Sequence, residues 1–301
     1  MKLLGHLGAI ITVSCWGASF ISTKVLMVDG GFTPVEVFSY RFTLAYILLL
    51  LLTCNKSLFS RNWRDEVTFM ICGLCSCTIY FLAENFALKH TTTTNVSLLS
   101  AISPIFTALL MAIFYKMKLS GGLILGTVVA FIGVGCVVLS GGGGLEFRPL
   151  GDLLALSSAM SWAVYSIVVR RVQPHYNTFF ITRKIFFYGV LASLPILLSQ
   201  TEPYHYRELF DMQTPQYLLN LLFLVLFCSA AAYLMWNEAN RILGSVTANN
   251  YLYGQPIVTM IIGVMALGEP VTVLGVTGCA LIIGGLVAAD KLDFTRIKRR
   301  A

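Results

Sequence analysis

The sequence predicts an all-α integral membrane protein of ten transmembrane helices, built as two inverted five-helix repeats. Three observations predict it. Apolar runs of membrane-spanning length recur along the chain, the first half of the sequence returns in the second, and basic residues fall on alternate connections. Hydrophobic residues make up 57% of the 301 positions and charged residues only 12%, against roughly 25% charged in a soluble domain.

The spans are taken in order. A run of about 20 apolar residues crosses a hydrocarbon core of roughly 30 Å as a helix, which satisfies its own backbone. Lys2 precedes the first run, 4–27, and Asp29 and Glu36 mark the turn into 34–54. Lys56, Arg61 and Arg64 separate this from 67–88, and Lys89 lies before 94–115. Lys116 and Lys118 lead into 121–140, which ends at the glycine run 141–144. Glu146 and Arg148 precede 150–171, Arg170 and Arg171 close it, and 178–199 follows. The longest connection, 200–215, carries Glu202, Arg207, Glu208 and Asp211 before 216–239. Arg241 precedes 246–267, Glu269 precedes 271–290, and the tail holds Lys291, Arg296, Lys298, Arg299 and Arg300. No period-two alternation suggests a β-barrel.

With the N-terminus inside, 14 of the 21 basic residues collect on the cytoplasmic side, leaving Lys24, Lys89, Arg148 and Arg207 outside together with Asp29, Glu36, Glu146, Glu202, Glu208, Asp211 and Glu269. That obeys the positive-inside rule. The net charge of +7 is therefore a topology signal and implies no nucleic-acid partner. The basic tail is suited to anionic lipid. The first run has an internal copy at 150–172 and exceeds a signal-peptide core, so it is expected to stay as an uncleaved helix.

The repeat is visible by eye. LGHLGAIITVSCWGASFISTKVL from Leu4 and LGDLLALSSAMSWAVYSIVVRRV from Leu150 align without a gap, placing Trp16 on Trp162 and Lys24 on Arg170. Later parts align at an offset of 152, matching Asn85 with Asn237, Pro104 with Pro256, Thr107 with Thr259, Gly126 with Gly278 and Gly133 with Gly285. Five spans per half is an odd number, so the second half, 145–301, enters from the opposite side to the first, 1–144. The halves are then related by a pseudo-two-fold axis in the membrane plane.

AENFALKHTTTTNVSLLSAISPIFTALL from Ala83 and WNEANRILGSVTANNYLYGQPIVTMIIGVMALGEPVTVLGVTGCALIIGGL from Trp236 resemble the two EamA repeats of the drug/metabolite transporter superfamily, as do the tryptophan-bearing first spans and Arg41. The resemblance covers essentially the whole chain. The first repeat departs from it, because Lys116-Met117-Lys118 stands where the second has Gly268-Glu269-Pro270. The resemblance implies a ten-helix carrier that moves small metabolites, often amino acids, usually outward across the cytoplasmic membrane.

Charges inside the spans need a reason, since burying one in lipid is costly. Glu84 lies about a turn inside the outer end of its span, and Glu238, near the cytoplasmic end of 216–239, reads as its counterpart. Arg41 and the pair Arg183 and Lys184 sit at matching depths of the second and seventh spans. Inverted symmetry suggests two ion pairs, Arg41 with Glu84 and Lys184 or Arg183 with Glu238, acting as gates or proton-responsive groups. The alternative is snorkelling to headgroups or clamping of helices.

Pro104 and Pro256 fall near mid-span, and each frees a backbone carbonyl, which is tolerated beside a cavity. Ser97, Ser100, Pro104 and Thr107 share one face by three- and four-residue spacing, with Ser103 beside them. Asn249, Asn250, Tyr251, Tyr253, Gln255 and Thr259 enrich 246–267. These two spans read as lining a midplane site with Trp16, Tyr80, Trp162 and Tyr233 as aromatic walls. Polar glue between helices is the competing account.

The glycines of 121–140 and 271–290 read as close packing, with Gly122 and Gly126 also spaced as in helix dimers. The run 141–144 lacks the features of a phosphate loop. Eight cysteines and four histidines form no metal-ligand spacing, and no hydrolase motif is present. The reading is a multi-pass secondary transporter of the cytoplasmic membrane with both termini inside. It exports amino acids, related metabolites or drugs by alternating access, with small-molecule substrate and lipid as its partners and no cofactor. An integral membrane enzyme or a scaffold protein is the alternative, and the oligomeric state is left open.

Overall fold

A computed structural model of the chain describes residues 2–91, 93–140, 148–200, 204–267 and 271–291. Among them every regular element is helical. The glycine run 141–144, Gly268-Glu269-Pro270, the side chain of Ser97 and the basic tail beyond Lys291 lie outside what is described. Among the described residues eight helices are long and apolar enough to cross a membrane, and Val273–Ala289 is a shorter apolar helix.

Helix α1 (Lys2–Lys24) runs into a wide π-helical turn, Val25–Asp29. Gly31, at φ +72°, then reverses the chain, a backbone conformation that glycine adopts at no steric cost. α2 (Pro34–Leu52) starts with a capping box, in which Thr33 Oγ1 accepts from Glu36 N–H and Glu36 accepts from Thr33 N–H. Pro34 at its first turn needs no donor there. Asn62 caps α3 (Trp63–Gly73), which continues through a π-helical stretch, Leu74–Ile79, into α4 (Tyr80–His90). The same sequence of elements recurs as α10 (Pro215–Phe223), the π stretch Leu224–Ala231, and α11 (Ala232–Leu243).

The two proline-bearing spans are interrupted rather than kinked. α5 (Thr93–Ser100) stops, and α6 (Ser103–Tyr115) starts again with Pro104 in its first turn. α7 is Gly121–Ser140, α8 is Pro149–Val168, and α9 is Thr178–Leu198, capped by Asn177. The second interruption separates α12 (Ser245–Asn250) from α13 (Gln255–Leu267) by a tight 3-10 turn, Tyr251–Gly254. α14 is Val273–Lys291. A proline has no N–H and crowds the carbonyl four residues back. That carbonyl belongs to Ser100 for Pro104, where α5 ends, and to Leu252 for Pro256, in the tight turn.

Contacts between elements come in matched sets. α1 packs on α11 and α13, while α8 packs on α4 and α6. α2 pairs with α9, and α7 with α14. The α7–α14 contact is backbone against backbone. A Cβ on Gly126 would stand 2.4 Å from Gly285 O, and one on Gly285 would stand 2.6 Å from Gly126 O; Gly133 and Gly278 meet in the same reciprocal way at 2.7 Å. The face of Gly126 is therefore filled by the chain's own α14. Small residues let two helices approach this closely.

Gly126→Ala is expected to cost about 1–3 kcal/mol through overpacking and to lower the unfolding temperature in detergent. Gly284→Ala, where nothing lies within 4 Å of the added Cβ, should leave the temperature unchanged or slightly raised. Equal behaviour of the two variants would contradict the packing.

Candidate functional site

The two repeat-marking tryptophans meet. The rings of Trp16 and Trp162 lie 5.1 Å apart edge to face, with Tyr80 5.1 Å from Trp162. They form the floor of a cavity of about 550 Å³. Trp16 is fixed by a 2.9 Å hydrogen bond from Nε1 to Cys228 O, and Trp162 by one of 3.1 Å to Asn249 Oδ1. The wall is built from α1, α2 and α4 on one side and from the broken spans on the other, through Ser100, Ser103, Leu252, Gln255 and Thr259. The cavity extends from this floor to Lys24, Val28 and Lys89, which are exposed at one end of the bundle.

Two opposite charges face this space. Arg41 is 3% exposed, donates from Nε to Ser229 Oγ at 2.6 Å and from Nη2 to Cys228 O at 3.2 Å, and lies over the ring of Phe81. Glu84 is buried and accepts from Tyr80 OH at 3.0 Å. No salt bridge joins the two. Each is thus left with capacity turned toward the cavity: unused N–H donors on one, unused lone pairs on the other.

Beyond the floor, the other end of the bundle is filled. Tyr165 OH donates to Asn237 Oδ1 at 2.8 Å, and Asn237 Nδ2 to Thr182 Oγ1 at 3.1 Å. Ser245 Oγ bonds Ser166 O at 2.6 Å and Asn240 Oδ1 at 3.1 Å. These side chains are buried, and Trp236 packs among them against both floor tryptophans.

A largely apolar, aromatic-floored cavity that carries Arg41, Glu84 and a few hydroxyls, deep in an apolar bundle, agrees with the comparisons to known proteins. The EamA-like transporter family matches twice, over residues 3–139 and 149–289. The chain belongs to the EamA-like transporter family. It is similar to an "uncharacterized transporter" of Clostridium kluyveri (25% identical, covering 94% of this chain and 92% of the relative). It is also similar to the "uncharacterized transporter YyaM" of Bacillus subtilis (27% identical, 91% and 89% covered). A third relative is a "probable terminal-alkyne amino-acid exporter" of Streptantibioticus cattleyicolor (24% identical, 98% and 97% covered). One solved crystal structure superposes with a TM-score of 0.77 at 21% identity, covering 99% of this chain and 98% of that one, which speaks to the fold alone. This EamA-like chain is a multi-pass membrane protein.

Of the residues singled out from sequence, Trp16, Tyr80, Ser100, Ser103, Trp162, Gln255, Arg41 and Glu84 line the cavity. Four others do not. Tyr233 lies a layer beneath, its ring 5.6 Å from Trp16 and its hydroxyl on Ser76 O. Tyr251 turns away to His6 Nδ1 at 2.6 Å. Pro104 and Pro256 act through their neighbours, opening the half-helices that present Ser103 and Gln255.

The expected ion pairs do not form. Lys184 Nζ reaches Glu66 Oε1 at 2.6 Å, because α9 packs on α3 and brings it beside that carboxylate. Arg183 donates to Thr53 and to Ser57 O. Glu238 is half-buried and binds Arg241 and Thr178. Nor is Glu238 the counterpart of Glu84: the offset of 152 that matches Asn85 with Asn237 puts Trp236 there.

Lys24, Lys89, Phe38, Phe81 and Asn85 are cavity residues that the sequence reading passed over. Helical periodicity supplies the signal. Once Trp16 is known to face inward, Ser19, Phe20, Thr23, Lys24 and Met27 follow on the same face of α1.

Arg41→Lys keeps the charge but cannot span both acceptors. The loss of a charged hydrogen bond should destabilise the protein by about 1–3 kcal/mol, seen as a lower unfolding temperature, while Lys24→Ala at the mouth should change it by less than about 0.5 kcal/mol. If Arg41→Lys unfolds like the parent, the two bonds to the Leu224–Ala231 stretch do not hold this side chain.

Proposed function

We propose that this chain is a secondary carrier that exports small metabolites, amino acids or related compounds, by alternating access. One observation carries the reading: a deep cavity that reaches one end of the bundle and is blocked at the other by buried side chains. A carrier caught facing one side has this shape, whereas a scaffold has no need of a hollow centre.

In this reading each interrupted span crosses once, α5 with α6 and α12 with α13, giving ten crossings divided at 144/145 into two inverted halves. The matched helix contacts and the reciprocal glycines of α7 and α14 support that symmetry. The distribution of basic residues supports cytoplasmic termini in the cytoplasmic membrane, so the cavity opens outward here. Amino acids are favoured because a zwitterion matches a buried guanidinium and a buried carboxylate that leave each other unpaired, and because one relative is named as an amino-acid exporter.

Purified protein in sealed proteoliposomes loaded with unlabelled amino acids is expected to accumulate the labelled compound by counterflow. Failure across a panel of amino acids, organic cations and drugs would remove the carrier reading. Glu84 is the ionisable carboxylate among the cavity-lining residues, so Glu84→Gln should flatten the pH dependence of that flux. A pH profile identical to the parent's would exclude Glu84 as a proton-carrying group.

A further inference from the structure

The two broken spans do more than make room. α6 and α13 both begin at the cavity, and their first residues, Ser103 and Gln255, are equivalent at the offset of 152. In the inverted-repeat reading above the two half-helices belong to spans that run in opposite directions, and Ser103 and Gln255 both line the one cavity. A helix N-terminus carries roughly half a positive charge and favours an anion.

A second, independent observation points to a ligand there. Ser103 is 2% exposed, it lines the cavity, and its hydroxyl has no hydrogen-bond partner; the hydroxyl of Ser100 is also buried and unpartnered. One turn further on, the equivalent threonines are both satisfied: Thr107 Oγ1 bonds Ser103 O, and Thr259 Oγ1 bonds Gly17 O and Gln255 O. Among the cavity-lining residues the buried unpartnered hydroxyls are those of Ser100 and Ser103, at the break; Ser39 and Tyr253, whose hydroxyls also lack a partner, are not part of that lining. A buried donor without an acceptor is destabilising, and an acceptor arriving with substrate would relieve both.

We propose that the N-termini of α6 and α13, with the hydroxyls of Ser100 and Ser103, form the seat of a substrate carboxylate. This rests on the carrier reading above and deepens it. The carbonyl ends of the short helices α5 and α12, which stop just before the two N-termini, oppose part of the dipole, so the seat is suited to the single charge of a carboxylate. Arg41 and, at the mouth, Lys24 and Lys89 bring positive charge to the cavity, and Glu84 brings one carboxylate. The body of the substrate then lies on Trp16, Trp162, Tyr80 and Phe81, so the preferred molecule joins one carboxylate to an apolar or aromatic group.

The test uses the full chain in lipid nanodiscs and two matched probes, 3-phenylpropanoate and its neutral analogue 3-phenylpropan-1-ol, followed by calorimetry. The carboxylate is expected to bind at least about tenfold more tightly than the alcohol, the size of a lost charged hydrogen bond. Ser103→Ala should weaken carboxylate binding about tenfold and leave alcohol binding unchanged. Ser100→Ala gives a second variant with the same expected pattern should the first fail to fold. Equal binding of the two probes, no binding of either, or a Ser→Ala variant that preserves the ratio would overturn the seat. Flux of both probes in proteoliposomes separates this from the carrier reading. Selective binding without flux would keep the seat and remove the carrier, and flux without selectivity would do the reverse.

Discussion

No water is available inside a bilayer to satisfy a backbone carbonyl, and in the π-helical stretches of this bundle side chains from elsewhere do so. Wide π-helical turns tilt carbonyls away from the helix axis and toward neighbours. In the stretch Leu224–Ala231 the Cys228 carbonyl accepts from both Trp16 and Arg41. In the stretch Leu74–Ile79 the Cys75 carbonyl accepts from Ser161 and the Ser76 carbonyl from Tyr233. Each half of the sequence therefore supplies the donors that the other half's wide turn requires. The floor and the buried cation of the cavity are held by this exchange, which is why they sit at the centre of the bundle.

The same scaffold explains why the two ends differ. Where α4 presents Glu84 to an open space, α11 presents Trp236 to a filled one. Where α6 begins with Ser103, α13 begins with the longer Gln255. A large indole fills volume, here with its buried Nε1 left without a partner, while the Glu84 carboxylate faces the cavity. Duplication supplied equivalent backbones, and the side chains at a few equivalent positions make one end a cavity and the other a plug.

Much of the fold was legible because it depends on long, redundant signals. Among the described residues, eight of the ten expected spans followed from twenty-residue apolar runs, and Trp16 and Trp162 were legible as a pair because repeat registers survive small drifts in spacing. Pro104 and Pro256 announced irregular backbone at mid-span, although nothing in the sequence distinguished a kink from an interruption. The ion pairs were misread for a physical reason. Lys184 was matched by depth with Glu238, but which face of α9 meets α3, and so brings Lys184 to Glu66, depends on packing that no single span encodes. Tyr251 was misplaced in the same way: a rotation along one short helical turn decides whether a ring faces substrate or His6. Depth is written in hydropathy; azimuth is written in contacts.

That distinction also bears on how such a bundle can move. The α7–α14 contact is backbone on backbone, and a separation there would forfeit the close packing its glycines allow. The filled end is held differently, by Tyr165, Asn237, Thr182 and Ser245, groups whose hydrogen bonds are each worth little net because water can replace the partner. If the halves rock as proposed, the motion divides along this line. The glycine contact persists as a pivot, while the polar plug exchanges its internal partners for water as that end opens. Asparagine, tyrosine and serine at the closed end are thus suited to a closure that must be reversible, in a way that leucines packed to the density of the α7–α14 contact would not be. Stability and opening are drawn from different chemistries within one chain.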